Sequence, residues 1–151
     1  MKNTKKTIAV ILLILLIAFI WGHSAVSRET SKAESLAVGG FLTPFLELFV
    51  GNGNVTDHLV RKLAHFSEYA ALGAALAFLL HTDGKTSLFR ISYAALCAMA
   101  VAVADEGIQL FADGRGAQVQ DILLDTAGAI FGLALLLALF EIAMRLKSKT
   151  V

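Results

Sequence analysis

The sequence predicts an all-α integral membrane protein, a four-transmembrane-helix bundle with an extracytoplasmic interfacial helix after the first span. Of its 151 residues, 57% are hydrophobic and 17% are charged, and the mean hydropathy is +0.72. A soluble domain carries about 25% charged residues, and so short a chain has too much surface to hide this apolar content. Four apolar stretches approach the roughly 20 residues that a helix needs to cross a bilayer. We expect one membrane domain over residues 1–151.

The apolar stretches are separated by polar turns. Lys2, Lys5 and Lys6 precede the first stretch, which could instead be a signal peptide with a small-residue cleavage site near residues 25–27. Thr56 and Asp57 are candidate N-caps for the second helix. Asp-Gly pairs at 83–84 and 113–114 indicate the turns that follow the second and third helices. The predicted spans are approximately 7–24, 60–80, 88–111 and 121–144.

The segment 36–50 is apolar but too short to cross a membrane as a helix. Phe41, Phe45, Leu48 and Phe49 would share one helical face, and Pro44 fits the first turn of a helix. This pattern is typical of an interfacial or re-entrant helix on the outer surface. A helix packed on the outer ends of the bundle explains the pattern equally well.

The charged residues predict the orientation. With the N-terminus in the cytoplasm, eight Lys and Arg and two acidic residues lie inside, while five Lys and Arg and ten acidic residues lie outside. The inner half then carries +6 and the outer half −5. The basic excess predicts four spans with cytoplasmic N- and C-termini. Acidic residues contribute little to topology, so their concentration on the outer side needs another cause.

Several function classes find no support in the sequence. The net charge of +1 gives no indication of a nucleic-acid partner. The single cysteine, Cys97, cannot form an internal disulfide and is expected to be a small buried hydrophobe. The sequence contains no zinc signature, no serine-nucleophile motif and no glycine-rich phosphate loop. His23, His58 and His81 are interpreted as interfacial or loop residues.

Ionisable residues recur at the outer ends of three predicted spans, where they are costly and need a partner, water or a function. On the last span, Asp121 and Asp125 continue the face of Gly128 and Gly132, a small-xxx-small pattern that allows another helix to approach closely. These carboxylates should therefore point into the bundle. The other members, on the second and third spans and in the turn after them, are Arg61, Lys62, His65, Glu68, Tyr69, Asp105, Glu106, Gln109 and Arg115.

Three interpretations of this cluster are open. Its charges could form an ion-pair network that only joins the helix ends, although five acids face three cations. It could be a metal or acid–base site, since His65 and Glu68 resemble, in reverse order, the Glu-x-x-His spacing of carboxylate metal sites in bundles. It could also bind a polar head group at the outer leaflet, with Arg61, Lys62 and Arg115 holding a phosphate or carboxylate and segment 36–50 as a lid.

Spaced motifs over about residues 55–145 resemble the VanZ-like family. They are Lys62-Leu-Ala-His65-Phe66-Ser-Glu68-Tyr69-Ala-Ala-Leu72-Gly73, then Asp105-Glu106-Gly-Ile-Gln109-Leu-Phe111, Arg115, and Asp121-Ile-Leu-Leu-Asp125-Thr-Ala-Gly128 with Gly132. One position and one short segment depart from the family pattern. Asp125 stands where members often have Asn, and Gly22-His23-Ser24-Ala25 only loosely matches the serine-rich exit of the first span.

The resemblance implies a small four-span protein of the bacterial cytoplasmic membrane, and the founding member is associated with resistance to the glycopeptide teicoplanin. We therefore predict a protein of the cell envelope that binds or modifies an outer-leaflet component, such as a lipid-linked wall precursor, or that meets the glycopeptide itself. Lys62, Tyr69, Gln109 and Arg115 are the expected ligand-binding residues, and a divalent cation is a candidate cofactor. The alternative is a non-enzymatic scaffold or proton-responsive module. Candidates for proton transfer or cation binding are His65, Glu68, Asp105, Glu106, Asp121 and Asp125.

Overall fold

The computed structural model of the protein describes residues 2–82 and 87–149. This part of the chain forms five α-helices and no strand, and all five are long and apolar enough to cross a membrane. The prediction of an all-α membrane protein is therefore confirmed, while the turn expected at Asp83-Gly84 lies outside the described residues. The helices are α1 (Lys2–Ser24), α2 (Arg28–Val50), α3 (Asp57–Thr82), α4 (Leu88–Gln109) and α5 (Val119–Lys149).

The helices α3 and α5 make the closest packing in the bundle. A Cβ atom added at Gly132 would lie 2.6 Å from the carbonyl carbon of Ala70, and one added at Gly73 would lie 2.7 Å from that of Ala129. Real Cβ atoms essentially never come this close to backbone. The small-xxx-small pattern at Gly128 and Gly132 thus allows the two backbones to approach, as the sequence predicted.

Four helix ends meet at one end of the bundle, which we call the polar end. Ser24 at the end of α1 donates a hydrogen bond to Asp105 near the end of α4 (2.8 Å). Lys62 near the start of α3 donates one to Asp121 near the start of α5 (2.9 Å). At the opposite end, the rings of His81 and Phe140 stack with centroids 4.0 Å apart.

Local signals explain where the helices begin. The Ser27 hydroxyl accepts from the backbone N–H of Thr30, and the Ser87 hydroxyl accepts from that of Arg90. The Thr56 hydroxyl accepts from the backbone N–H of Leu59 at 3.2 Å, so the predicted N-cap of α3 is confirmed. Each hydroxyl satisfies an N–H group that has no partner within its helix.

The helix α2 differs from the prediction. It begins at Arg28 and runs without a break to Val50, so the expectation that Pro44 occupies a first turn is wrong. Its polar first turns form because Ser27 caps them and because Glu, Lys and Ala favour helix. Gly39 packs against Val60 of α3, since a Cβ atom added at Gly39 would lie 3.4 Å from a methyl group of that valine. The predicted apolar face is exposed, including Phe41 (86%).

Candidate functional site

The polar end is built around Asp105, a carboxylate with no solvent exposure. Its Oδ2 atom accepts a hydrogen bond from the Ser24 hydroxyl at 2.8 Å and a longer one from the Gln109 amide at 3.5 Å. Its Oδ1 atom has no hydrogen-bond partner among the described residues. Two neighbours therefore fix the direction of this carboxylate and leave one oxygen available inside the bundle.

Asp125 is a second fully buried carboxylate, contributed by α5. Neither of its oxygens has a hydrogen bond within the described ranges 2–82 and 87–149. The Nδ1 atom of His65 lies 3.8 Å from Oδ2 of Asp125, too far for a hydrogen bond. The hydroxyl of Tyr69, one turn after His65 on α3, is also buried without a partner in this part of the chain. A buried polar group without a partner costs about 1–3 kcal/mol, so this arrangement is expensive.

A histidine that the sequence analysis treated as interfacial joins three helices. His23 of α1 contacts Glu68 of α3 through Nδ1 (3.0 Å) and Glu34 of α2 through Nε2 (3.0 Å). His23 also stacks on His65, with ring centroids 6.3 Å apart. Glu68, a predicted site residue, therefore lies at the polar end with a partner that periodicity within α3 could not reveal.

The remaining acids of the cluster have partners. Asp121 is paired with Lys62, both of them partly exposed. Glu106 is almost fully buried, and its Oε2 atom accepts from the backbone N–H of Gln118 at 2.6 Å. This bond joins α4 to the first residues before α5, so Glu106 stabilises the connection between the two helices.

A cavity of about 90 Å³ opens at the polar end. Arg115, in the turn between α4 and α5, is half-buried and donates from one guanidinium nitrogen to the carbonyl of Ser24 at 3.4 Å. Burial lowers the pKa of Arg115, and the nearby Arg61 lowers it further. The cavity is lined by Arg28, Arg61, Lys62, His65, Gln109, Gly114, Arg115, Gly116, Gln118, Asp121, Leu124 and Asp125.

Three side chains of the cluster have the geometry of a cation site. One ligand atom each from His65, Asp105 and Asp125 lies within 4.8 Å of the others, and all three residues are buried. Ligands around a metal at 2.0–2.2 Å lie roughly 3–4 Å apart, so small movements would bring these atoms to ligand distances.

All ten predicted site residues lie in α3, α4, α5 or the turn before α5, in the parts that meet at the polar end. Sequence reasoning missed His23, Ser24 and Glu34, and it did not assign Arg28 a role. The available signal for the first two was the family position at the exit of the first span. His58 is exposed, and His81 belongs to the opposite end.

Apolar helices of spanning length and a buried polar cluster at one end of the bundle define a multi-pass membrane protein with a polar site. The model of the VanZ/LLP1 family matches residues 9–141. The chain therefore belongs to the VanZ/LLP1 family, as its motifs predicted. Comparisons with curated proteins and with solved structures gave no significant match.

Proposed function

We propose that the protein binds an anionic head group of an outer-leaflet envelope component in the cavity at its polar end. One observation carries this proposal. Arg28, Arg61 and Arg115 line the cavity together, and among the described residues none of them forms an ion pair with a carboxylate. Three arginines therefore line a space that could hold a phosphate.

Guanidinium groups suit this ligand because their planar N–H forks match phosphate oxygens. Arg115 has a buried nitrogen, Nη2, that lacks a hydrogen-bond partner in the described part of the chain. An anion in the cavity would accept from that nitrogen and would offset the charge of the three arginines. Lys62, which we expected to hold the anion, is already paired with Asp121 and so contributes less.

The surroundings of the cavity favour a ligand that also has an apolar part. Leu110 and Phe111, in the turn that follows α4, are 62% and 91% exposed. The helix α2 begins at Arg28, a cavity residue, and exposes Phe41 and Phe45 further along. A lipid-linked wall precursor has both a diphosphate and a long apolar chain, which would lie against such surfaces. The start of α2, at Arg28, borders the site, whereas no residue of segment 36–50 lines it.

The topology that we propose has four spans, α1, α3, α4 and α5, with both termini in the cytoplasm and the polar end outside. A crossing by α2, which is about 35 Å long at 1.5 Å per residue, would carry Val50 away from the polar end. The seven residue steps from Val50 to Asp57 reach at most about 25 Å. They also fold into a turn in which Asn54 bonds back to Val50. Gly39, midway along α2, packs at the first turns of α3. These contacts support an interfacial α2.

Cysteine labelling tests this topology in a Cys97→Ala background. We expect Asn52→Cys and Ala117→Cys to react with a membrane-impermeant maleimide on intact cells, and Ser148→Cys to react only after permeabilisation. Labelling of position 117 but not 52 from outside would contradict the interfacial α2. Labelling of position 148 alone would contradict the orientation.

Anion binding is tested on purified protein in detergent with farnesyl diphosphate, a short lipid-linked diphosphate, and with farnesol as the uncharged control. We expect the diphosphate to bind and farnesol to bind much more weakly. A charge-assisted hydrogen bond contributes about 1.5–3 kcal/mol, so Arg115→Gln and Arg61→Gln should each weaken diphosphate binding at least tenfold. Arg145→Gln, an exposed arginine paired with Glu141 in the C-terminal half of α5, is the matched control. Equal affinity in all four proteins would refute the proposal.

The cellular consequence that we propose is reduced susceptibility to teicoplanin-type glycopeptides. Expression in a susceptible bacterium should raise the inhibitory concentration of teicoplanin, and Arg115→Gln should abolish the increase while Arg145→Gln retains it. No increase with the unaltered protein would contradict this role without affecting the binding proposal.

A scaffold is the second candidate function, because hydrogen bonds and ion pairs at the polar end join helices that lie far apart in the sequence, such as α1 with α3 and α4. Glu68→Gln and Asp105→Asn separate the two functions. Variants that stay folded and inserted but lose the phenotype support a binding site. Variants that unfold support the scaffold.

A further inference from the structure

We propose that His65, Asp105 and Asp125 bind one divalent transition-metal ion, of the Mn²⁺ or Zn²⁺ kind, at the polar end, where His65 and Asp125 also line the cavity. The three side chains come from α3, α4 and α5, and one ligand atom of each lies within 4.8 Å of the others. A metal ion between them would therefore hold together three helices that contribute to the bundle core.

Four of the nine buried side-chain atoms that lack a hydrogen-bond partner in the described part of the chain belong to these three residues. Nδ1 of His65, Oδ1 of Asp105 and both oxygens of Asp125 are buried and form no hydrogen bond among the described residues. Both aspartates have no solvent exposure, so water in the bulk cannot replace the missing bonds. Buried polar groups are normally hydrogen-bonded, and this many exceptions at one point indicates a ligand.

The second oxygen of Asp105 already has partners. It accepts from Ser24 and Gln109, which hold the carboxylate in one orientation. Metal-binding carboxylates are commonly fixed by such hydrogen bonds, which leave the ligand oxygen free for the ion. Ser24 is buried and lies on α1, so all four helices that meet at the polar end contribute to the proposed site.

Charge gives an independent argument. The other acids of the cluster have partners. Glu68 contacts His23, Asp121 is paired with Lys62, and Glu106 accepts a hydrogen bond from the backbone N–H of Gln118. Asp105 and Asp125 have no lysine or arginine within ion-pair distance among the described residues. Two buried carboxylates without a cation are very unfavourable, and a divalent ion offsets both charges at once.

The donor set indicates the kind of metal. Calcium and magnesium prefer oxygen ligands alone, whereas imidazole suits first-row transition metals and zinc. One imidazole with two carboxylates, in a chain whose single cysteine lies elsewhere, fits Mn²⁺ or Zn²⁺ with water completing the coordination. His65 and Asp125 also line the cavity, but the metal site is proposed on its own residues and its test does not depend on head-group binding.

The test uses the full chain in detergent, stripped with EDTA and incubated separately with Mn²⁺, Zn²⁺, Mg²⁺ or Ca²⁺, without any lipid or diphosphate. Elemental analysis after gel filtration should give about one Mn²⁺ or Zn²⁺ per chain, with a rise in the melting temperature, because a ligand of the native state stabilises it. Substoichiometric uptake, or uptake of all four ions to the same extent, would overturn the proposal.

Variants then locate the ion. Asp125→Ala and His65→Ala should each weaken metal binding at least tenfold, while Asp113→Ala, which removes an exposed carboxylate in the turn after α4, should leave it unchanged. Should either variant fail to fold, Co²⁺ bound to the unaltered protein gives a second measurement. Its X-ray absorption spectrum should show one imidazole nitrogen and oxygen ligands. A Co²⁺ spectrum without nitrogen ligation, or full binding by folded Asp125→Ala, would refute the site.

Discussion

The close contact of α3 and α5 at Gly132 is predicted to be the most sensitive point of the bundle. A Cβ atom there would lie 2.6 Å from the carbonyl carbon of Ala70, whereas ordinary contacts begin at 3.4 Å. The substitution Gly132→Ala therefore requires the two backbones to separate by at least 0.8 Å. No side chain can rotate to make room, because the obstacle is the backbone of α3.

The size of the effect follows from two opposing contributions. Overpacking of this kind costs about 1–3 kcal/mol, and contact with a rigid backbone puts the cost at the upper end. Alanine in place of glycine favours a helix by about 1 kcal/mol. We therefore expect Gly132→Ala to lower the free energy of unfolding by about 2 kcal/mol.

The assay is unfolding in detergent with increasing SDS, followed by circular dichroism and by the fluorescence of Trp21, which is the only tryptophan of the chain. Gly22→Ala is the matched control, because Gly22 lies in a helix and a Cβ added there meets nothing within 4 Å. Its stability should be unchanged or raised by up to about 1 kcal/mol. Equal unfolding curves for Gly132→Ala and Gly22→Ala would refute the close helix contact.

Three further substitutions test local features of the polar end by the same unfolding assay. Ser24→Ala should lower the free energy of unfolding by about 1–3 kcal/mol, because it leaves the buried carboxylate of Asp105 with one long hydrogen bond. The control is Ser67→Ala at an exposed serine, and equal losses of stability in the two variants would contradict the argument. Thr56→Ala should lower the free energy of unfolding by about 1 kcal/mol, because it removes the N-cap of α3. An unchanged stability would show that this cap is dispensable. Gly114→Ala should lower the free energy of unfolding by about 1 kcal/mol because φ is +73° there, whereas Gly116→Ala should be tolerated. Similar unfolding curves for these two variants would contradict the turn geometry.

The sequence predicted the helices with apolar cores and the place where their polar residues gather. Apolar length and turn residues were sufficient for α1, α3, α4 and α5, and the spacing of Gly128 and Gly132 predicted the close packing of α5. The face shared by Asp121 and Asp125 followed from helical periodicity alone. These are local properties, so a single chain contains enough information to predict them.

Contacts between distant segments could not be predicted in the same way. His23 and Ser24 end an otherwise apolar helix, and nothing in their neighbourhood indicates that their partners are Glu68 and Asp105. The first turns of α2 are polar and resemble a loop, so its helical start at Arg28 was also missed. For His23 and Ser24, the deciding interactions join residues from separate helices. For α2, the capping Ser27 outweighs the polar composition of the first turns.

The position of Asp121 and Asp125 on α5 has a consequence for the synthesis of the protein. A nascent chain that ends before α5 already contains His23, Ser24 and Asp105, but it lacks both carboxylates that face Lys62 and His65. The polar end is therefore incomplete until α5 has left the ribosome and inserted. Insertion of α5 therefore acts as the assembly step, and a chain terminated before it leaves Lys62 and His65 without these carboxylates.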